Sequence, residues 1–112
     1  VTITTSEQRK YLHLSAVFAC NFTNHMYAIA NNILKQQGLS FDVLLPLIDE
    51  TAAKIHEMNP IKAQTGPAVR YDENVMQAQQ ELLSDSIEKE IYHLISKNIH
   101  KFSPTDHEQN KL

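Results

Sequence analysis

The chain reads as all-α: a helical bundle with one long central helix. Three observations predict this. Nothing between Ser6 and Gly38 stops a helix, and apolar residues recur at helical spacing in the segments that follow. With two glycines and no tryptophan among 112 residues, the chain also lacks the turn residues of a many-stranded β-fold.

Ser6-Glu7 opens the first helix, with the acidic side chain in the first turn, where the helix dipole favours it. Gly38 suits the left-handed position after its last turn. The span is about 32 residues, or roughly 48 Å at 1.5 Å per residue. Ser40 caps a second helix reaching Met58, with Phe41, Leu44, Leu45, Ile48, Ala52 and Ile55 at helical spacing and a kink expected at Asp42–Pro46. Asn59-Pro60 ends it. Residues 59–71 have no clean period. Asp72 caps a third helix, Glu73–Leu83, with Val75, Gln79, Leu82 and Leu83 on one side. After Ser84-Asp85-Ser86, a fourth helix carries the stripe Ile87, Ile91, Leu94, Ile95, Ile99 and Phe102 until Ser103-Pro104 stops it. The organisation expected is a linker over 1–5, a helical domain over 6–104 and a frayed polar tail over 105–112.

Composition excludes several classes. The 42% hydrophobic content suffices for one core. Ten basic residues against thirteen acidic ones, a net charge of −3, leave no basic face for nucleic acid. Cys20 is alone, so no intrachain disulfide exists, and a reducing, cytoplasmic setting is expected. No cationic segment precedes an apolar run as in a signal peptide. Val1-Thr2-Ile3-Thr4-Thr5 instead reads as the tail of a strand or linker, the mark of a domain cut from a longer chain.

The centre of the first helix is unusual. Between Lys10 and Lys35 there is no Asp, Glu, Lys or Arg. The run is as long as a membrane span, but Asn21, Thr23, Asn24, His25, Asn31 and Asn32 are too polar for lipid. Stepping 100° per residue puts Leu12, Ala16, Ala19, Phe22, Met26, Ile29, Ala30 and Ile33 on a core side. His13, Asn21, Asn24, His25, Asn32 and Lys35 fall within about 140° on the other, mixed with Val17 and Ala28. Asparagine is a poor helix former, so its repeated use points to side chains that make specific hydrogen bonds. A buried interface and a ligand-facing surface both satisfy this.

Thr65-Gly66-Pro67-Ala68-Val69-Arg70-Tyr71-Asp72 is the second candidate. Gly66 permits close backbone approach, Pro67 stiffens the segment, and Arg70 offers a planar fork for a carboxylate or phosphate. A surface turn with an Arg70–Asp72 pair is the plainer reading.

The six histidines do not assemble a metal site. Glu90-Ile91-Tyr92-His93 has the Glu-x-x-His spacing of carboxylate-bridged sites, but the second pair such sites need is missing. His93 and His100 are too few ligands. Cys20 has no motif around it, and no nucleophile elbow supports a Ser/His/Asp triad.

Leu12-His13-Leu14-Ser15-Ala16-Val17-Phe18-Ala19-Cys20-Asn21-Phe22-Thr23-Asn24-His25 resembles the opening helix of a bacterial domain-of-unknown-function family. Leu44-Leu45-Pro46-Leu47-Ile48 and Thr65-Gly66-Pro67-Ala68-Val69-Arg70 continue the resemblance in the same order, over most of residues 6–102. In that family the helical domain follows an N-terminal Rossmann domain. The whole is similar to pyrroline-carboxylate reductase, ketopantoate reductase and 6-phosphogluconate dehydrogenase, so the resemblance implies a fold like the C-terminal domain of the last. It further implies an NAD(P) cofactor held by the missing Rossmann domain, a small-molecule substrate, and a homodimer through the long helix. Carried over, His13 and His25 become candidate general acids, since imidazole exchanges protons near neutral pH. Asn21 and Asn24 become substrate contacts, and Thr65, Gly66 and Arg70 an anion contact. No Gly-x-Gly-x-x-Gly occurs, so this chain alone is expected to bind no dinucleotide. The family's Lys/Asn catalytic pair is also not evident. A non-enzymatic dimerisation module, with the asparagine face paired across a two-fold axis, is the competing reading.

Overall fold

The computed structural model describes residues 5–103. Among them every regular element is helical and no strand occurs, as the sequence predicts. The linker residues 1–4 and the tail 105–112 lie outside the described residues. The chain divides into two compact units between Ile48 and Asp49.

In the first unit, helix α1 (Ser6–Ala16) runs through a π-helical turn (Val17–Phe22) into α2 (Thr23–Gln36). The cap is Thr5, one residue earlier than expected. Its hydroxyl accepts from the Gln8 amide at 3.0 Å, and the Gln8 side chain accepts from the Thr5 amide at 2.9 Å. This reciprocal pair satisfies two backbone donors that the first turn leaves free. Glu7 and Lys10 are 3.6 Å apart and exposed, an arrangement that contributes little in water. Gly38 closes α2 at φ 73°, with its amide on Lys35 O at 3.1 Å and the Leu39 amide on Leu34 O at 2.9 Å. These are the two bonds of a Schellman cap, and they require the left-handed residue that Gly38 supplies.

The second predicted helix is shorter and differently built. Ser40 caps a 3₁₀ turn (Phe41–Leu44), and α3 (Leu45–Lys54) follows. Pro46 produces no mid-helix kink. It lies in the first turn of α3, where no amide is needed. Within the first unit α2 packs on the 3₁₀ turn, with Tyr27 and Phe41 ring centroids 6.4 Å apart and tilted by 61°.

In the second unit α3 unwinds at Lys54 through short i→i+3 bonds at His56 and Glu57, before the expected Met58. Asn59-Pro60 starts a helix as well as ending one. Asn59 caps α4 (Pro60–Ala63) by accepting from the Ile61 amide at 2.9 Å, with Pro60 in the first position. Helices α5 (Glu73–Glu81) and α6 (Ser86–Phe102) follow. Asp85 caps α6 through one carboxylate oxygen that accepts from both the Ile87 and Glu88 amides at 2.9 Å. The Tyr92 hydroxyl on α6 donates to Gln79 Oε1 on α5.

Few residues are buried: Ala68, Met76, Ser96 and Ser103. The packed side of α6 runs through Ile91, Tyr92, Ser96, Ile99 and His100, while Ile87, Leu94, Ile95 and Phe102 of the expected stripe are exposed. On α5 the covered residues are Met76 and Gln80, not Val75 and Gln79. The packed sides are therefore rotated from the most apolar ones.

Two outcomes follow from the caps and the Tyr92 contact. Asp85→Ala removes both cap bonds and is expected to destabilise the fold by about 1 kcal/mol, measured as a lower urea midpoint. Burial raises the Tyr92 phenol above the ordinary 10.0, because the phenolate would lose solvent. The folded chain then holds this proton to higher pH than the unfolded chain. Stability from this group is intact below pH 10.0 and falls as pH rises through the folded value. Ultraviolet titration is expected to show a late-ionising phenol that is absent in Tyr92→Phe.

Candidate functional site

The uncharged run in the first helix contains a change of hydrogen-bond register. Over Val17–Phe22 the backbone is π-helical, with i→i+5 bonds in place of i→i+4, a form that occurs mostly as single turns within α-helices. Two hydroxyls of the same helix report the difference. Ser15 donates to Tyr11 O, four residues back, at 2.9 Å, as is usual in an α-helix. Thr23 donates to Phe18 O, five residues back, at 3.3 Å. Phe18 and Phe22 meet edge to face across the turn, centroids 5.0 Å apart and planes at 82°.

The π turn alters which residues share a side. It takes up about one extra residue, and so turns everything after it back by roughly 100° relative to an unbroken α-helix. His13 and His25 would lie about 120° apart on an ordinary helix; with the turn they lie within about 20°. Asn32 comes into line with them, and Asn21, late in the turn, takes up most of the same rotation. Asn24 moves the other way, to about 80° from His13. The broad face expected at uniform 100° steps thus becomes a narrower stripe of His13, Asn21, His25 and Asn32, with Asn24 to one side. All five are exposed. The packed side of α2 is Thr23, Met26, Tyr27, Ala30 and Leu34, with Ile29 beside it. Of the eight residues expected in the core, only Met26, Ile29 and Ala30 are half-buried; Leu12, Ala16, Ala19, Phe22 and Ile33 are exposed.

In the second unit, Thr65–Asp72 is an ordered turn. The Tyr71 amide bonds Ala68 O at 3.2 Å and the Asp72 amide bonds Pro67 O at 2.9 Å, the same two-bond cap that closes α2. Here the left-handed position is held by Tyr71 at φ 52°, where glycine would be expected. His100 of α6 supports it: its ring is 5.0 Å from the Tyr71 ring, and its Nδ1 lies 3.3 Å from Val69 O. Gly66 has φ 106°, and a side chain there would meet nothing within 4 Å. The positive φ of the turn, not crowding by the described residues, is what calls for glycine at this position. Thr65 O accepts from Gln64 Nε2 at 3.0 Å, and Thr65 and Arg70 are exposed. Sequence reading did not single out the π turn or Tyr71, and weighed His100 only with His93 as a metal ligand. Neither a π turn nor a left-handed tyrosine has a residue signature.

Among the described residues no His/Cys/Asp/Glu cluster suits a metal ion, and none of their helices is long and apolar enough to cross a membrane. Residues 1–99 match the family model described as "Domain of unknown function (DUF2520)". No curated protein matches the chain. A crystal structure from Bacteroides fragilis, described as a "putative NADP oxidoreductase", is 58% identical with a TM-score of 0.84. The alignment covers 88% of this chain and 38% of that one, so this chain spans well under half of its length.

The Tyr71 cap sets a left-handed backbone against a ring contact. His100→Ala is expected to destabilise by about 1–2 kcal/mol, losing the ring contact and the bond to Val69 O. In the His100→Ala background, Tyr71→Gly is expected to raise stability, since the backbone strain is relieved with no ring contact left to lose. Urea unfolding of the four variants of this cycle checks it.

Proposed function

The chain belongs to the DUF2520 family of domains of unknown function, and on that footing we propose that it is the substrate-side and dimerisation domain of an NAD(P)-dependent oxidoreductase, catalytically incomplete by itself. The observation that carries this reading is the likeness, at 58% identity, to a longer protein described as a "putative NADP oxidoreductase". The histidine–asparagine stripe is consistent with it.

The residues here do not fit a dinucleotide. Gly38 and Gly66 are the two glycines; the first closes a helix, the second opens a turn, and no strand leads into either among the described residues. In this reading NADP binds a Rossmann domain outside these residues, in a cytoplasmic protein. This chain acts on the substrate. In the first unit, His13 or His25 delivers a proton to it as general acid, and Asn21 and Asn24 hold it by amide hydrogen bonds; in the second unit, the segment of Thr65, Gly66 and Arg70 is an anion contact in its own right.

One observation also favours the second reading, a non-enzymatic dimerisation module. Leu12, Phe18, Phe22 and Ile33 are large, apolar and exposed on the first helical run, and a second copy of the chain would cover them.

The two readings separate in the full-length protein. NADPH is expected to bind that protein and not the isolated chain. His25→Ala is expected to lower NADPH-dependent turnover by about 100-fold or more with the dimer intact by light scattering. For Asn24→Ala, a smaller loss of turnover with an intact dimer is expected. Loss of dimer affinity in both variants, with no NADPH binding by the parent, supports the module instead.

A further inference from the structure

We propose that Thr23 is a positioning residue: its hydroxyl, by holding the carbonyl of Phe18, keeps the π turn in register and so brings His13, Asn21, His25 and Asn32 into one stripe. The catalytic consequence rests on the oxidoreductase reading above; the claim about register does not.

Three observations meet at Thr23. It is the first residue after Phe22, where the register returns to α. It is half-buried on the packed side of α2, which limits its rotamers. Its hydroxyl reaches Phe18 O at 3.3 Å, a separation of five residues that fits the widened turn, while Ser15 in α1 reaches only four. In an unbroken α-helix the usual acceptors for this hydroxyl lie three or four residues back. The bond to Phe18 O is therefore specific to the π form and favours it.

Changing the register has a large effect on the stripe. Return to i→i+4 bonding over Val17–Phe22 would turn α2 by roughly 100° relative to α1. His25 and Asn32 would leave the side that carries His13, and Asn24 would replace them. One hydroxyl thus governs the relative placement of both candidate general acids while touching neither.

The test compares Thr23→Val, which keeps the branched shape without the donor, with Thr23→Ser, which keeps the donor. Through-hydrogen-bond couplings in isotope-labelled chain identify which amides within the Val17–Phe22 turn bond five residues back. Thr23→Ser is expected to retain the i→i+5 pattern, and Thr23→Val to shift the balance toward i→i+4 by about 5-fold, the effect of one net hydrogen bond. An unshifted pattern in Thr23→Val overturns the claim about register. In the full-length protein, NADPH binding is measured, and NADPH oxidation is followed with a panel of small carbonyl compounds. Thr23→Val is expected to lower kcat by up to about 5-fold, no more than the register shift itself, with a smaller change in KM, and Thr23→Ser to restore it. A shifted register with unchanged kcat overturns the positioning role. No NADPH binding by the parent protein overturns the oxidoreductase reading and the catalytic half of this proposal, while the coupling map still decides whether Thr23 sets the register.

Discussion

The side on which a helix presents a residue is fixed by its hydrogen-bond register, and in the first helical run that register changes once, between Val17 and Phe22. The rest of the proposed chemistry depends on this turn. Before it, α1 places His13; after it, α2 places His25 and Asn32 and packs Tyr27 against Phe41. Because α2 packs through Thr23, Met26, Tyr27, Ala30 and Leu34, its opposite side is left for His25 and Asn32. The turn therefore couples packing in the first unit to the alignment of polar side chains that face away from it.

Local interactions carry much of this architecture, since burial is slight. Reciprocal bonds between Thr5 and Gln8, the double acceptor at Asp85, and the paired backbone bonds at Gly38 and Tyr71 close the helix ends. Such caps contribute about 1 kcal/mol each. They define where helices begin and end, while large apolar residues such as Leu12, Phe18, Leu94 and Phe102 stay exposed. Apolar surface of this extent is typical of faces that meet other protein.

The sequence made the fold class and most helix ends legible. Gly38, Ser40, Asn59 and Asp85 punctuate the chain through conformational preferences that need no tertiary context, whereas Asp72, expected to cap α5, precedes it with no cap bond from its side chain. What was not legible depended on context. Pro46 has the same residue signature in a kinked helix as in the first turn of a new one. The packed sides of α5 and α6 follow Met76 and Ser96, because apolar spacing along a helix does not say which side meets the rest of the chain. The uncharged polar run identified the right segment of the first helix, yet uniform 100° steps misplaced Asn24 relative to His13, since a π turn is invisible to periodicity. At Tyr71 a ring contact with His100 stabilises a backbone angle for which residue type alone would choose glycine.

The central claim is that the stripe on the first helix takes part in the chemistry of a longer NADP-dependent protein. Hydrogen–deuterium exchange of that full-length protein, with and without NADPH, tests it most directly. Slower exchange is expected in peptides spanning His13 to Asn32 when NADPH is present. Unchanged exchange across that segment, with protection confined to residues outside this chain, would contradict it.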